Sequence, residues 1–392
     1  MAARGFDGVA VVAPVTVPYA RYSEHGPQWF LGSALAGLLR ASGLRKEDVD
    51  GLAAASFTLA PDTVVALTEY LGISPRFIEH LPMGGASGVV ALRRAARAVQ
   101  AGDAEIVACI AGDASRKGGF ADLVSNFSHF SRECVHPYGA GGPNTVFAMI
   151  TRHYMDRFGA TREDFGRICI AQRHNAGAFE GALLRAPLTM EQYLAARPVA
   201  EPLHLYDCVM PCAGGEGFLV MPEDRARSLG LPYAVIRASG ERHNAFFEDP
   251  VPERGGWAAY RDALYEAAGC GPEDMDLVEV YDDYPVIVMM QLEDLGFCAK
   301  GEAPAFVRRT PLTYDGGGLP LNTCGGQLSA GQAGAAGGFI GLVEALRQLL
   351  VPGLKHAVPG ARRALVSGYG MVNYDRCLCT AAAILEKGGP GG

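Results

Sequence analysis

Of the 392 residues, 49% are hydrophobic and 19% are charged, a balance that excludes a disordered chain and a coiled coil. The net charge of −8 comes without a basic stripe, which argues against a general nucleic-acid role. The length predicts two domains, or one large α/β unit built from two halves.

The N-terminus has no basic-then-apolar signal, and no apolar stretch of about 18 residues runs uninterrupted. Ten cysteines are scattered along the chain, without the density of a secreted disulfide scaffold and without zinc spacing. The sequence therefore predicts a soluble cytoplasmic protein with free thiols and no metal site.

The first part of the chain alternates short apolar runs with amphipathic stretches, which is typical of an α/β fold. Strands are predicted at 8–15, 49–55 and 106–111, and helices at 31–42 and 87–100. The region 115–205 is rich in Phe, Tyr and His and is predicted to be an insertion that covers the active site.

The second part of the chain repeats this plan. Strands are predicted at 277–281, 364–367 and 377–385, and helices at 286–295 and 331–350. Segments 84–102 and 333–349 are alike, because each has a glycine-rich entry, a first turn of small residues and then an amphipathic helix. The likeness predicts an internal duplication with halves of 1–225 and 230–392.

One glycine cluster, Gly84-Gly85-Ala86-Ser87-Gly88, opens a predicted helix. Such a turn presents backbone N–H groups and the positive end of a helix dipole, which suits an anion or a thioester oxygen. A tight turn that lets two elements pack closely explains the same residues. No Gly-Lys-Ser/Thr follows, so the cluster is not a phosphate-binding P-loop.

A polar segment from Glu279 to Tyr284 ends a predicted strand and opens a predicted helix. In α/β folds this end of a strand carries the chemistry, and Tyr281 there would act as a general acid or base if its pKa were lowered. The alternative is that Asp282 or Asp283 caps the helix and the tyrosines, Tyr281 and Tyr284, belong to the core.

Three further features are candidates for the site. The densest glycine signal, at 322–334, contains polar residues that a helix-packing loop explains poorly: Asn322, Gln327 and Gln332. The segment 367–371 is predicted to be a hairpin turn, in which Tyr369 either lines a cavity or is exposed. Among the histidines, His136 in the insertion is the one for which a catalytic role is most expected.

The order of these segments resembles the thiolase superfamily, specifically the sterol-carrier-protein-type thiolases and their lipid-transfer-protein aldolase relatives. The likeness covers essentially the whole chain and is carried by 85–88, 104–113, 147–164, 197–208, 278–282, 292–296 and the glycines at 325, 326 and 331. It implies the thiolase fold, in which two duplicated βαβαβ-type halves form a five-layer αβαβα arrangement, usually as a homodimer.

The chemical positions of that family are changed in this chain. The nucleophilic cysteine at the start of the first-half helix reads Gly85, and the Gly-His-Pro motif reads Gly331-Gln332-Ala333. The Asn or His after the Glu-containing strand is Tyr281, and the late cysteine corresponds to Ser367 or Val366. A glycine cannot form a thioester, which excludes the usual acyl-cysteine route.

By resemblance, the chain is a retro-aldol lyase that cleaves a β-hydroxyacyl-CoA into a ketone or aldehyde and a shorter acyl-CoA. Tyr281 would be one acid–base group and Tyr369, Tyr284 or His136 the second. The thioester oxygen would be held by backbone N–H groups and one side chain: Gly85, Ala86, Ser87, Gly325, Gly326 and Gln332. No bound cofactor is expected, with the CoA thioester as substrate.

Two other hypotheses stay open: an acyltransferase or thiolase with displaced groups, in which Cys324 is recruited, and a non-catalytic subunit that binds acyl-CoA. The aromatic residues of the insertion suggest a bulky apolar acyl group, and equally a dimer interface or core: Phe120, Phe127, Phe130, Tyr138 and Tyr154. The resemblance also implies a small partner protein that carries a zinc ribbon and an OB-like domain.

Overall fold

The computed structural model describes residues 5–119, 128–129, 133–134, 136–140, 142–373 and 376–389. The chain begins with β1 (Val9–Ala20), α1 (Pro27–Ser42), β2 (Gly51–Ala55), α2 (Val64–Leu71), β3 (Phe77–His80), α3 (Ser87–Ala101) and β4 (Val107–Asp113). The helices α1 and α3 end where predicted, because Gly43 and Gly102 adopt the left-handed conformation that terminates each helix.

The predicted insertion contributes α4 (Gly142–Phe158), α5 (Arg162–Ala178), α6 (Met190–Leu194), β5 (Pro198–Ala200) and β6 (Leu203–His204). The next elements are β7 (Ala213–Pro222), α7 (Glu223–Ser228), β8 (Tyr233–His243), α8 (Arg261–Ala268), β9 (Leu277–Glu279) and α9 (Pro285–Asp294). The chain closes with α10 (Ala303–Arg309), α11 (Gly326–Ala330), α12 (Ile340–Leu350), β10 (Arg363–Asn373) and β11 (Arg376–Lys387).

A nine-stranded sheet has the order β3-β2-β4-β7-β1-β8-β11-β10-β9. On one side, β3, β2 and β4 are parallel, β7 is antiparallel to β4, and β1 is antiparallel to β7. On the other side, β9 and β10 are parallel, and β11 and then β8 add in the same way. Apart from the additional edge strand β3, the strand succession is thus the same on both sides. The boundaries of the two halves remain a prediction.

Buried apolar side chains form three clusters, which separate five layers. One cluster joins α3 and α12 to one face of the sheet, and two others cover the opposite faces with α1 on the first side and with α5 and α9 on the second. When the β3–β1 side and the β8–β9 side of the sheet are counted as separate layers, the order is helix, sheet, helix, sheet, helix. This arrangement confirms the predicted α/β class.

The predicted helix at 331–350 is wrong in its first half. Gly331 and Gly334 have φ of 120° and 55°, which a right-handed helix does not allow, and a 3₁₀ turn follows at Gly334–Gly338. The α-helix begins only at Ile340. The glycines here serve a turn that precedes the helix.

The predicted hairpin at 367–371 is also wrong, because these residues lie inside β10 and pair with β11. A Cβ on Gly370 would lie 1.7 Å from the Met83 carbonyl oxygen, and one on Gly368 would lie 2.7 Å from the Ala86 Cα. Glycine in this strand therefore allows another part of the backbone to approach closely.

Two further properties concern the whole described chain. All ten cysteines lie within it and are unpaired. Within the same residues, no helix has both the length and the apolar character needed to cross a membrane.

Candidate active site

Two glycine turns meet at the centre of the molecule, one before α3 and the other before α12. A Cβ on Gly88 would lie 2.2 Å from the Gly338 carbonyl oxygen, and one on Gly338 would lie 2.5 Å from the Gly84 carbonyl oxygen. Close packing thus explains glycine at positions 88 and 338. The N–H groups of Ala86 and Ser87 donate to Met83 and Gly84 within the turn, and the Ser87 hydroxyl donates to the Leu81 carbonyl.

Gly85 has a different neighbour, the ring of Tyr281. A Cβ on Gly85 would lie 2.0 Å from Tyr281 Cε2 and 2.2 Å from Tyr281 Cζ. The phenol ring therefore occupies the space into which any side chain of residue 85 would extend. Only glycine at this position lets Tyr281 lie where it does.

The Tyr281 hydroxyl belongs to a hydrogen-bonded set with Asp283 and Gln332. It donates to Asp283 Oδ2 at 2.8 Å, and Gln332 Nε2 donates to Asp283 Oδ1 at 2.8 Å. Burial, with a smaller contribution from Asp283, raises the pKa of Tyr281 well above its usual value. Burial raises the pKa of Asp283 to about 7, although its hydrogen bond from Tyr281 opposes the rise.

This set can carry a proton at neutral pH. The phenol is protonated, and the Asp283 carboxyl is near the middle of its titration, where a group accepts and returns a proton most readily. Asp283 was considered from sequence only as a helix cap. Its contact with Gln332, 49 residues away, is visible only in three dimensions.

Gln291 holds the backbone of Tyr281 in place. Its Nε2 donates to the Tyr281 carbonyl at 2.6 Å, and its Oε1 accepts from the Tyr281 N–H at 3.3 Å. The Ser367 hydroxyl donates to the same Oε1 at 2.6 Å. Sequence reasoning missed Gln291, although an amide inside the apolar run of α9 was a usable signal.

Asp282 and Asn322 support the loop that precedes the site. Asp282 accepts from the N–H groups of Gln327 and Leu328 at 2.9 and 3.2 Å, so it caps α11 and not the helix that directly follows it. Asn322 Oδ1 accepts from the Val280 N–H at 2.8 Å, and the Asn322 carbonyl accepts from the Gly325 N–H at 2.7 Å. Burial raises the pKa of Asp282 to about 6.

Comparison with known proteins places this arrangement in a family. The family described as thiolase C-terminal domain-like matches residues 239–385. A steroid side-chain-cleaving aldolase of Thermomonospora curvata is 32% identical over 90% of this chain and 93% of its own length. The chain belongs to the aldolase branch of the thiolase superfamily.

Two further relatives agree with this assignment. A 17-hydroxy-3-oxo-4-pregnene-20-carboxyl-CoA lyase of Mycobacterium tuberculosis is 31% identical over 87% of this chain and 91% of its own length. The solved Ltp2-ChsH2(DUF35) aldolase superposes with a TM-score of 0.83 at 28% identity, covering 97% of this chain and 98% of that one. The prediction of an acyl-CoA-processing carbon–carbon lyase of retro-aldol type with the thiolase fold is confirmed.

Within this aldolase, two glycines of β10 contact the turn that precedes α3. Ser367 faces Gln291, whereas Gly368 and Gly370 lie against residues 83–86. Of the two positions matched from sequence to the late thiolase cysteine, Ser367 therefore points away from Gly85, whereas Val366 is buried in the cluster that contains Ala86. Cys324 is fully buried, and burial raises the pKa of its thiol well above the usual value, which opposes its use as a nucleophile.

Two of the other predicted catalytic side chains lie in an aromatic stack beside Tyr281. The Tyr369 ring has its centroid 6.4 Å from that of Tyr281 and 5.6 Å from that of Trp257. Tyr284 stacks on Phe147 at 4.2 Å, and its hydroxyl donates to Asn144 Oδ1 at 2.6 Å. Phe147 links the two tyrosines, because its ring centroid is 6.1 Å from that of Tyr369, so the structure brings both into the stack beside Tyr281.

Part of the predicted site lies outside the described residues. The backbone of His136 forms a short 3₁₀ turn, while its side chain lies outside the description. Phe120, Phe127 and Phe130 also lie outside it. Tyr138 is exposed, and Tyr154 is buried with its hydroxyl donating to Glu293, which gives Tyr154 a role in the core.

A cavity of about 300 Å³ adjoins Gln332, and neither Tyr281 nor Asp283 is among its lining residues. Phe57, Thr58, Arg116, Pro211 and Gln332 are among the residues that line it. Gln332 lines the cavity and also donates to Asp283, so it connects this space to the acid–base pair.

Proposed function

We propose that this lyase cleaves a β-hydroxyacyl-CoA with a bulky apolar acyl group, and that Tyr281 and Asp283 move the proton. The observation that carries the proposal is the Tyr281–Asp283 hydrogen bond of 2.8 Å, formed in the space that glycine at position 85 leaves open. An acid–base pair without a nucleophile suits a reaction that needs proton transfer but no acyl-enzyme.

The proposed reaction balances in atoms and charge. Tyr281 takes the proton of the β-hydroxyl while its own proton passes to Asp283. The Cα–Cβ bond breaks, its electron pair moves to the α-carbon as a thioester enolate, and the hydroxyl-bearing carbon becomes a carbonyl. The enolate then receives a proton at the α-carbon from a second acid, for which Tyr369, Tyr284 and His136 remain the candidates.

Donors for the thioester oxygen are proposed among the residues predicted from sequence. The N–H groups of Ala86, Ser87 and Gly325 already donate within the protein, and that of Gly326 donates to the Cys324 sulfur, which favours Gly85 and the second N–H of the Gln332 amide. A donor aimed at the oxygen that becomes negative in the transition state typically contributes a factor of about 10²–10³.

The bulky acyl group is inferred from two sources. The relatives are named for steroid side-chain cleavage and for a pregnene carboxyl-CoA substrate. The cavity next to Gln332 is lined by apolar side chains that include Pro27, Phe57 and Pro211. We therefore assign a polycyclic, steroid-like acyl group to the substrate.

Two partners are part of the proposal. The structural relative is an aldolase solved with a DUF35 protein, which supports a small DUF35-type partner with a zinc ribbon and an OB-like domain here. A homodimer is supported by β3, which lies at an edge of the sheet and is flanked by exposed apolar side chains: Ile78, Val65 and Tyr70. The ten unpaired thiols support a cytoplasmic location.

The test is product analysis with the purified protein and its co-purified partner. A steroid β-hydroxyacyl-CoA should give equimolar ketone and shorter acyl-CoA, and intact-mass spectrometry during turnover should find no covalent adduct on the protein. An acyl fragment attached to Cys324 or any other side chain would overturn the proposal in favour of an acyltransferase. Binding of the ester without turnover would favour a non-catalytic subunit.

A further inference from the structure

Among the described residues, Arg173 on α5 is a buried cation without a counter-ion. Only 7% of the residue is exposed, which makes it the most buried arginine in the described part of the chain. Its Nε donates to Ser329 Oγ at 3.1 Å, and its guanidinium lies 5.7 Å from the centroid of the Tyr206 ring. Among the described residues, no Asp or Glu lies within ion-pair distance of it.

The groups around Arg173 do not neutralise its charge. The nearby Cys169 is neutral at physiological pH, because burial raises the pKa of its thiol well above the usual value. Burial lowers the pKa of Arg173 itself, with Cys169 and Tyr206 opposing the shift only in part. By contrast, Arg347, which is also largely buried, pairs with Glu344. A buried charge without a partner is costly and rarely kept without a role.

The two terminal nitrogens of Arg173 are available to a ligand. Neither nitrogen is hydrogen-bonded within the described chain. Both keep some accessible surface, because fully enclosed polar atoms without a partner do not include them. A guanidinium presents such nitrogens as a planar fork, which matches two oxygens of a phosphate or carboxylate.

Arg173 is close to the acid–base site. It is bound to Ser329 of α11, the short helix whose first N–H groups hold Asp282 and whose end leads to Gln332. Five helical residues span roughly 7.5 Å, so the fork lies within the reach of a CoA ester positioned at Tyr281.

We propose that Arg173 binds an anionic group of the substrate, through two oxygens of a phosphate or a carboxylate. This inference rests on the proposed function, since it assigns part of the same substrate. The anionic group has two possible sources, the phosphates of CoA and a carboxylate on the acyl chain, and the experiment separates them.

The experiment compares Arg173→Met with Arg162→Met, using isothermal titration calorimetry on the full-length protein with its partner. Arg162 is the matched control, because it lies on the same helix but its terminal nitrogens donate to the Leu194 and Tyr193 carbonyls. The probes are CoA, pantetheine, succinyl-CoA and butyryl-CoA. Losing a hydrogen-bonded ion pair should weaken binding by about 10- to 100-fold.

If a CoA phosphate is the partner, Arg173→Met weakens binding of CoA and both esters but leaves pantetheine unchanged. If an acyl carboxylate is the partner, the variant weakens succinyl-CoA while CoA and butyryl-CoA bind as before. Equal binding of every probe by both variants, or equal weakening of CoA and pantetheine, would overturn the proposal.

A second variant separates a binding role from a packing role. Arg173→Lys keeps the charge without the fork, and we expect intermediate affinity at a melting temperature close to that of the unchanged protein. Because these measurements report binding, they stay informative even if no β-hydroxyacyl-CoA is cleaved. A lysine variant that binds no better than methionine while melting normally would count against an anion at this position.

Discussion

Two tyrosine–carboxylate pairs in this molecule share one geometry and differ in their surroundings. Tyr281 donates to Asp283 at 2.8 Å, and Tyr19 donates to Glu216 at the same distance. Burial raises the pKa of Asp283 to about 7 and that of Glu216 to about 8. By hydrogen-bond length and carboxyl pKa alone, either pair qualifies as an acid–base site.

The neighbours separate the two pairs. The second oxygen of Glu216 accepts from Thr16 at 2.8 Å, and only 1% of the residue is exposed. The second oxygen of Asp283 accepts from Gln332, which lines a cavity. A short bond and a raised pKa therefore describe a buried carboxyl in general, and the link to a cavity through Gln332 is our reason for proposing Asp283 as the functional one.

The largest expected effect follows from removing each hydroxyl in turn. Tyr281→Phe should lower kcat by about 10²–10⁴-fold, the usual range for a lost acid–base group. Tyr19→Phe should leave kcat close to that of the unchanged enzyme and cost about 1–2 kcal/mol of stability. Steady-state cleavage assays and melting curves on both variants check this. Equal losses of kcat in the two variants would erase the distinction.

A side chain at position 85 should act through Tyr281. Gly85→Ala places a methyl group 2.0 Å from the Tyr281 ring, so the ring must move, and we expect kcat to fall by about 10²-fold. Gly177→Ala is the matched control, because its Cβ would come no closer than 3.6 Å to the Arg185 carbonyl. An active Gly85→Ala enzyme would mean that the position of the Tyr281 ring is not critical.

The periodic elements could be predicted from the sequence. Helix α3 was predicted at 87–100 and runs from Ser87 to Ala101, because its apolar spacing and the glycine that ends it are local signals. Tyr281 could be singled out for a related reason, since it directly follows a strand at the edge where α/β folds place chemistry.

The errors and omissions concern contacts between distant parts of the chain. Gly368 and Gly370 were interpreted as a turn, yet they make room for a backbone segment more than 280 residues earlier. The partnership of Asp283 with Gln332, and the hold of Gln291 on Tyr281, likewise depend on which loops the fold brings together. No local pattern distinguishes a glycine in a turn from a glycine beneath a neighbour.

Asp283 should also set the pH dependence of cleavage. Its carboxylate form accepts the proton, so kcat should rise with pH and reach half its maximum near the carboxyl pKa of about 7. Asp283→Asn should lower kcat by about 10- to 100-fold and remove this acidic limb. A pH–rate profile between pH 5.5 and 8.5 measures both effects. A variant that keeps the limb would assign it to another group.

The smallest effect is expected at the other pair, in stability. Folding raises the pKa of Glu216 to about 8, far above that of a carboxyl in the unfolded chain. Between those two values the folded chain holds a proton that the unfolded chain releases, so the free energy of unfolding falls as pH rises toward 8.

Glu216→Gln cannot ionise and should lose this dependence on pH. We expect the melting temperature of the unchanged protein to drop between pH 5.5 and 8.5, because the free energy of unfolding falls by about 1–4 kcal/mol over this range. In the variant the drop should be smaller by a few degrees. The acidic limb of kcat should persist in Glu216→Gln, because Asp283 is intact. A variant that loses the limb but keeps the fall in melting temperature would reverse the roles assigned to the two carboxyls.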